Sequence, residues 1–125
     1  MIHKPGRSKR VLIVDDEPII AMDLELLLLD AGYEIAGVTG RIAKALSLVE
    51  IEIIDVAILD ANLGGETSAP VADALSARGV PFLVWSGYDA HQLPPVLRGA
   101  PSLRKPASST QIIQTVNSIL AARTF

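Results

Sequence analysis

Five side chains in this sequence suit a single chemistry: Asp15, Asp16, Asp60, Ser86 and Lys105. The acids and the serine follow short apolar runs, VLIV before the two adjacent acids, VAIL before Asp60 and FLVW before Ser86, and Lys105 follows the short strand candidate APSLR. Such runs read as buried strands, so the five groups stand at strand ends. Brought together, three carboxylates repel one another and call for a positive charge among them. A hard cation such as Mg²⁺ suits the need, because it takes carboxylate oxygens, backbone carbonyls and waters. With that charge neutralised, one carboxylate can serve as nucleophile toward a phosphoryl group. The Lys105 ammonium and the Ser86 hydroxyl are then placed to take phosphoryl oxygens.

The remaining segments must bring those ends to one edge. Pro18 suits the first turn of a helix, predicted over 18–31 and stopped by Gly32, a good residue just past a helix end. EIAGV (34–38) reads as a second strand, and 41–51 as a second helix with Ile42, Leu46 and Val49 on one face. A third strand is predicted over 53–60, a loop over 62–68 and a helix over 69–78, stopped by Gly79. PFLVW (81–85) makes a fourth strand. A short helix over 89–97 is weakened by Pro94 and Pro95. APSLR (100–104) and a helix over 108–122, capped by Ser108 or Ser109, complete the chain. Strands alternating with helices imply parallel pairing and right-handed crossovers. The fold class is α/β, a (βα)5 doubly wound parallel sheet. In the five-strand order 2-1-3-4-5 the first and third strands flank the switch point, where such sheets bind ligands.

The chain has 125 residues, half of them hydrophobic, and a formal net charge of −3. That suits one globular domain, divided here into a basic leader, 1–9, and a domain over 10–123. Lys4, Arg7, Lys9 and Arg10 lie at the start and none of the 14 acids does, so the body is more acidic than the whole. An acidic body repels nucleic acid, and no DNA contact is expected. With no cysteine, disulfides, thiolate metal sites and a Cys nucleophile are excluded. No apolar run approaches the ~20 residues of a membrane span, so a cytoplasmic location is expected. His3 and His91 are isolated and receive no role.

Taken in order, VLIVDDEP, AILDANLGG, WSG and RKP resemble the receiver domain of two-component response regulators, across residues 10 to 122. DEPIIAMDLE, LGGETS, PVADAL, RGVPF and RGAP are similar to a group of stand-alone bacterial receivers marked by a Phe-Ala-Thr-Gly run, often followed by Tyr. The resemblance implies a flavodoxin-like, CheY-like fold. It implies a phosphoacceptor rather than an enzyme, taking its phosphoryl group from a sensor histidine kinase. Its output would be a downstream protein partner or a phosphotransferase in a relay, or the chain would serve as a phosphate sink. Asp60 would be the phosphoacceptor. Asp16 and Asp60 would ligate Mg²⁺ directly, with the backbone carbonyl of Asn62 and with Asp15 as a water-mediated or further ligand. Ser86 would be the switch hydroxyl and Lys105 the phosphoryl-binding lysine, joined to Pro106 by a cis bond. Two positions depart from the pattern. Ser102 stands where a switch Tyr or Phe is often found, and Val84, Trp85 and Ser86 replace Phe, Ala and Thr, with Gly87 and Tyr88 kept. Tyr88, on the loop after the fourth strand, is the expected partner of Ser86, and Trp85 is expected in the core.

The first helix carries two apolar stripes. Ile20, Leu24, Leu27, Leu28 and Ala31 form the expected core face. Ile19, Met22, Leu26 and Leu29 form a second, which is either buried or a surface for a partner. Receivers dock kinase helices through this helix, so Met22, Leu26 and Leu29 are assigned to that contact. Three rival functions are weaker. A docking module that is never phosphorylated is suggested by Ser102 and Trp85 and opposed by the intact acids. An Asp-x-Asp phosphatase needs a second carboxylate as general acid where Asn62 stands. A flavin or nucleotide binder needs a glycine-rich loop after the first strand, where acids occur instead.

Overall fold

Strands and helices alternate along the chain in the computed structural model, which describes residues 8–87 and 92–122. The order is β1 (Arg10–Val14), α1 (Pro18–Asp30), β2 (Glu34–Thr39), α2 (Ile42–Ile51), β3 (Val56–Asp60), β4 (Asn62–Leu63), β5 (Glu66–Thr67), α3 (Ala69–Ala77), β6 (Phe82–Ser86), α4 (Pro95–Arg98), β7 (Ser102–Arg104) and α5 (Ser109–Ala122). The main sheet runs β2-β1-β3-β6-β7 and every pairing in it is parallel. This is the expected five-strand order, with β1 and β3 at the switch point.

Helices cover both faces, which is why the central strands β1, β3 and β6 are apolar at successive positions. Side chains alternate between two core layers. Leu12, Val14, Ala57, Leu59 and Val84 pack with Ala45, Leu48 and Val49 of α2 and Val71, Ala72 and Leu75 of α3. Val11, Ile13, Ile58, Leu83 and Trp85 pack with Leu24 and Leu28 of α1 and Ile112, Val116 and Ile119 of α5.

Several elements differ from the sequence expectation. Residues 62–67 form a small antiparallel hairpin rather than a plain loop. Gly64 (φ 59°) and Gly65 (φ 90°) both take the left-handed conformation at its two-residue turn, the geometry that joins closely paired strands. β3 begins at Val56, leaving Ile53 60% exposed outside the sheet. α2 turns Leu48 rather than Leu46 inward; Leu48 lies against Gly37, where an added Cβ would meet its side chain at 2.8 Å. α1 stops at Asp30, so Ala31 is its exposed C-cap and not part of the core stripe. The fourth main helix is only Pro95–Arg98, because Pro94 in an extended conformation precedes Pro95 at the first turn; residues 88–91 lie outside the described residues. α5 is capped by Ser108, whose Oγ accepts from Gln111 N–H at 3.1 Å while Gln111 Oε1 accepts from Ser108 N–H at 3.0 Å, a reciprocal capping box.

At the start of the sheet, Arg10 ties β1 to the start of β2 and to the connection between α2 and β3. Its backbone N–H donates to Asp55 (2.7 Å), and its guanidinium reaches Glu34 (2.9 Å), Glu52 (2.8 Å) and the carbonyl of Ile53 (2.7 Å). Among the described residues, no helix is long and apolar enough to cross a membrane.

Candidate functional site: an acidic pocket at the switch point

The pocket is assembled from the ends of β1, β3, β6 and β7. Asp15 continues β1: its N–H donates to Thr39 O at 2.9 Å, so the ladder with β2 fixes its backbone. Its carboxylate is buried (residue exposure 3%), and Oδ1 accepts from Glu17 N–H at 2.9 Å, which turns the chain into α1. Asp16 is exposed and points toward the β4–β5 hairpin, where its Oδ2 accepts from Gly64 N–H at 2.8 Å. Gly40 presses on this corner from β2. A Cβ there would stand 2.6 Å from Asp16 Cα and 3.1 Å from Asp15 O, a separation no side chain tolerates without backbone movement.

Asp60 closes β3 and is 6% exposed. Its Oδ1 accepts from Asn62 N–H at 3.1 Å and its Oδ2 from Lys105 Nζ at 3.1 Å. The Asn62 side chain accepts from Gly65 N–H at 2.9 Å, holding the peptide beside Asp60 in the hairpin. Lys105 follows β7, with its N–H donating to Ser86 O at 2.7 Å and the expected cis bond to Pro106. Its ammonium also lies 3.1 Å from Asp15 Oδ2 and 3.3 Å from Glu17 Oε1. Ser86, at the end of β6, is 2% exposed.

Electrostatics follow from this crowding. Burial is the main cause that raises the Asp60 carboxyl from its ordinary 3.8 to about 6; the Asn62 N–H and Lys105 pull it down, and the Asp15 charge pushes it up. Burial disfavours the Lys105 ammonium, but its hydrogen bond and charge interaction with Asp60, and the charge of Asp15, outweigh that. Its pKa stands above the ordinary lysine value.

Asp15, Asp16 and Asp60 can each turn one carboxylate oxygen to within 4.8 Å of the others. Asp15 Oδ2 is buried and accepts no hydrogen bond, having only the ion-pair approach of Lys105. A donor set of carboxylate oxygens with one under-coordinated oxygen fits a hard divalent cation such as Mg²⁺. The structure thus brings together the side chains of Asp15, Asp16, Asp60 and Lys105, with the Ser86 backbone joined to that of Lys105. Tyr88 lies outside the described residues, as do His3 and His91. Met22, Leu26 and Leu29 are 54%, 60% and 48% exposed on α1; they do not join the acid cluster, although Met22 lines a cleft of about 530 Å³ that also touches Asp15, Asp16 and Gly40.

Three contributors were given no role at the site by the sequence. Glu17 and Gly64 lie within the resembling motifs without an assigned contact, and Gly40 falls between the second strand and the second helix. Only the tertiary arrangement gives them partners.

Known proteins share this arrangement of strand ends. The family model of the response regulator receiver domain matches residues 11–117. The transcriptional regulatory protein PdtaR of Mycobacterium tuberculosis is 30% identical over 112 residues, covering 86% of this chain and 55% of that protein; the chain spans about half the length of such curated relatives. Among solved structures, SdrG of Sphingomonas melonis Fr1 superposes with a TM-score of 0.80 at 39% identity, covering 93% of this chain and 99% of that one. The receiver domain of the PhyR response regulator of Erythrobacter litoralis gives 0.82 at 28% identity, covering 94% of each. A match across nearly all of the doubly wound sheet, including every strand end that carries an acid, leaves one conclusion: the chain belongs to the response regulator receiver domain family.

Proposed function

We propose that Asp60 accepts a phosphoryl group from the phosphohistidine of a sensor histidine kinase in a Mg²⁺-dependent reaction. An Asp60 carboxylate oxygen bonds to phosphorus as the histidine N–P bond breaks. The imidazole leaves and takes up a proton, and Asp60 becomes an acyl phosphate. The observation that carries this reading is the convergence of Asp60 with Asp15, Asp16 and Lys105, with Lys105 Nζ 3.1 Å from Asp60 Oδ2.

Asp15, Asp16, Asp60 and the backbone carbonyl of Asn62 would hold Mg²⁺, which when bound offsets negative charge on the phosphoryl oxygens. Lys105 brings a second positive charge to the same oxygens, and the Ser86 hydroxyl, on the strand end next to Asp60, is assigned to donate to another. The chain acts as a signalling phosphoacceptor; at most it catalyses its own phosphoryl transfer and loss. Its exposed α1 stripe, Met22, Leu26 and Leu29, is assigned to the kinase contact. Output passes through contact with a downstream protein or through a relay phosphotransferase.

The test is labelling by the small phosphodonor acetyl phosphate and by candidate kinases, with and without Mg²⁺. The Asp60→Asn variant is expected to carry no label. Labelling of that variant at the wild-type rate would remove Asp60 from the assignment.

A further inference from the structure

We infer that Trp85 is a positioning residue for Lys105, its indole face forming the wall that keeps the ammonium turned toward the acids. The inference rests on the phosphoacceptor reading above, since it concerns how that site holds its lysine.

Trp85 is the direct cross-strand neighbour of Asp60 on one side, and of Leu103 on the other. Paired residues of parallel strands share a face, so the indole lies in the same row as the carboxylate that Lys105 must reach. The backbones are tied as well: Trp85 O accepts from Ala61 N–H at 3.1 Å, and the next residue's carbonyl, Ser86 O, accepts from Lys105 N–H at 2.7 Å. The Lys105 ammonium stands 5.7 Å from the indole centroid, over the ring. That is within the range of a cation–ring attraction, which is stronger where water is excluded. Trp85 is 5% exposed and the Lys105 side chain 17%.

The ammonium is therefore held between an aromatic face and three carboxylates, those of Asp15, Asp60 and Glu17. A lysine stem is flexible and its ammonium is a point charge without a preferred direction. The carboxylates alone leave the direction of the stem open, because a further acid, Asp23, lines the same groove as Lys105. Trp85 and Lys105 line a groove of about 260 Å³ between α1 and α5, together with Leu24, Ile112 and the acid Asp23. Within that groove the indole face is the surface over which the Lys105 ammonium rests. Its Nε1 is buried and makes no hydrogen bond, so the ring is held by packing and by the cation, with no polar anchor at that atom.

The experiment compares the wild type with Trp85→Phe and Trp85→Leu. Acetyl phosphate labelling at saturating Mg²⁺ is expected to stay within about threefold for Phe, which keeps an aromatic face, and to fall about tenfold for Leu, the loss expected from removing a desolvated cation–ring contact. Mg²⁺ affinity, read by competition with a chelating dye, is expected to be unchanged in both. In the wild type, the NMR signals of the Lys105 ε-methylene are expected upfield of ordinary lysine signals through the ring current of the indole. They should move partway back with Phe and fully with Leu. Wild-type labelling rates in the Leu variant would overturn the inference, as would ε-methylene signals at ordinary positions in the wild type. So would equal losses in Phe and Leu accompanied by weakened Mg²⁺ binding, which mark a packing role alone. The ring-current measurement needs no variant to fold. If the wild type takes no label, the phosphoacceptor reading fails, and the ε-methylene shift still decides whether Trp85 holds Lys105.

Discussion

Lys105 Nζ donates to Asp60 Oδ2 at 3.1 Å, joining residues 45 positions apart across the ends of β7 and β3. The pair is asymmetric. Asp60 is shielded from water and, to a lesser degree, faces the charge of Asp15, so its carboxyl holds a proton up to about pH 6, whereas Lys105 gains from both acids.

The asymmetry sets a pH dependence of stability. Asp60 binds its proton more tightly in the folded chain, at about 6, than in the unfolded one, at 3.8. Folding is therefore penalised increasingly as pH rises from about 4 to about 6, and the penalty stays in full above that. Asp60→Asn carries no such penalty. Without Mg²⁺ the variant is expected to be more stable than the wild type at pH 7.5, on the order of 2 kcal/mol, and the gain should fade toward pH 4. Urea unfolding at the two pH values measures this; a variant less stable at pH 7.5 contradicts it.

The same proton competes with the cation. Mg²⁺ needs an ionised Asp60, so its apparent affinity is expected to be steady above about pH 7 and to fall as pH drops through about 6, by up to about tenfold per unit. Isothermal titration at pH 7.5 and 5.0 is the direct measurement. Addition of Mg²⁺ should raise the melting temperature at the higher pH and have far less effect at the lower one. Equal shifts at both would show that Asp60 does not limit binding.

Gly40 should be intolerant of the smallest side chain. Its added Cβ meets the backbone of Asp16 at 2.6 Å, not the end of a flexible side chain. Gly40→Ala is expected to cost about 1–3 kcal/mol, as overpacking does, and to weaken Mg²⁺ binding by displacing Asp16. Gly99→Ala, where a Cβ meets nothing within 4 Å, serves as control. Unchanged Mg²⁺ affinity in a folded Gly40→Ala protein would show that the corner can yield.

Removing the α1 stripe should separate recognition from chemistry. Met22 and Leu26 are more than half exposed, so changing both to Ser should alter stability by less than about 1 kcal/mol. Labelling by acetyl phosphate is expected to persist while labelling by the cognate kinase falls at least about tenfold, the loss of two interface anchors. Parallel phosphotransfer assays test this, and equal kinase labelling would remove the stripe from the interface.

The sheet was legible in the sequence because its three central strands, β1, β3 and β6, are covered on both faces and so appear as nearly unbroken apolar runs. The acids were legible because they end those runs. What escaped depended on distant neighbours or on very short elements. Glu17 meets Lys105 across 88 positions, and nothing in the local sequence marks that contact. The β4–β5 strands have two residues each, too few for alternation to show. On α2 the inward face is Ala45, Leu48 and Val49 rather than the one through Leu46, and Leu48 fits there against Gly37, whose missing Cβ leaves it room.

Arg10 has a practical consequence for such assays. It anchors the chain at the start of β1, while the acids lie past the other end of that five-residue strand, roughly 17 Å away at ~3.3 Å per residue. A dye, affinity handle or surface tether joined ahead of Arg10 would enter at the opposite pole of the molecule. Immobilised protein would then present its acidic pocket outward, open to a kinase in solution.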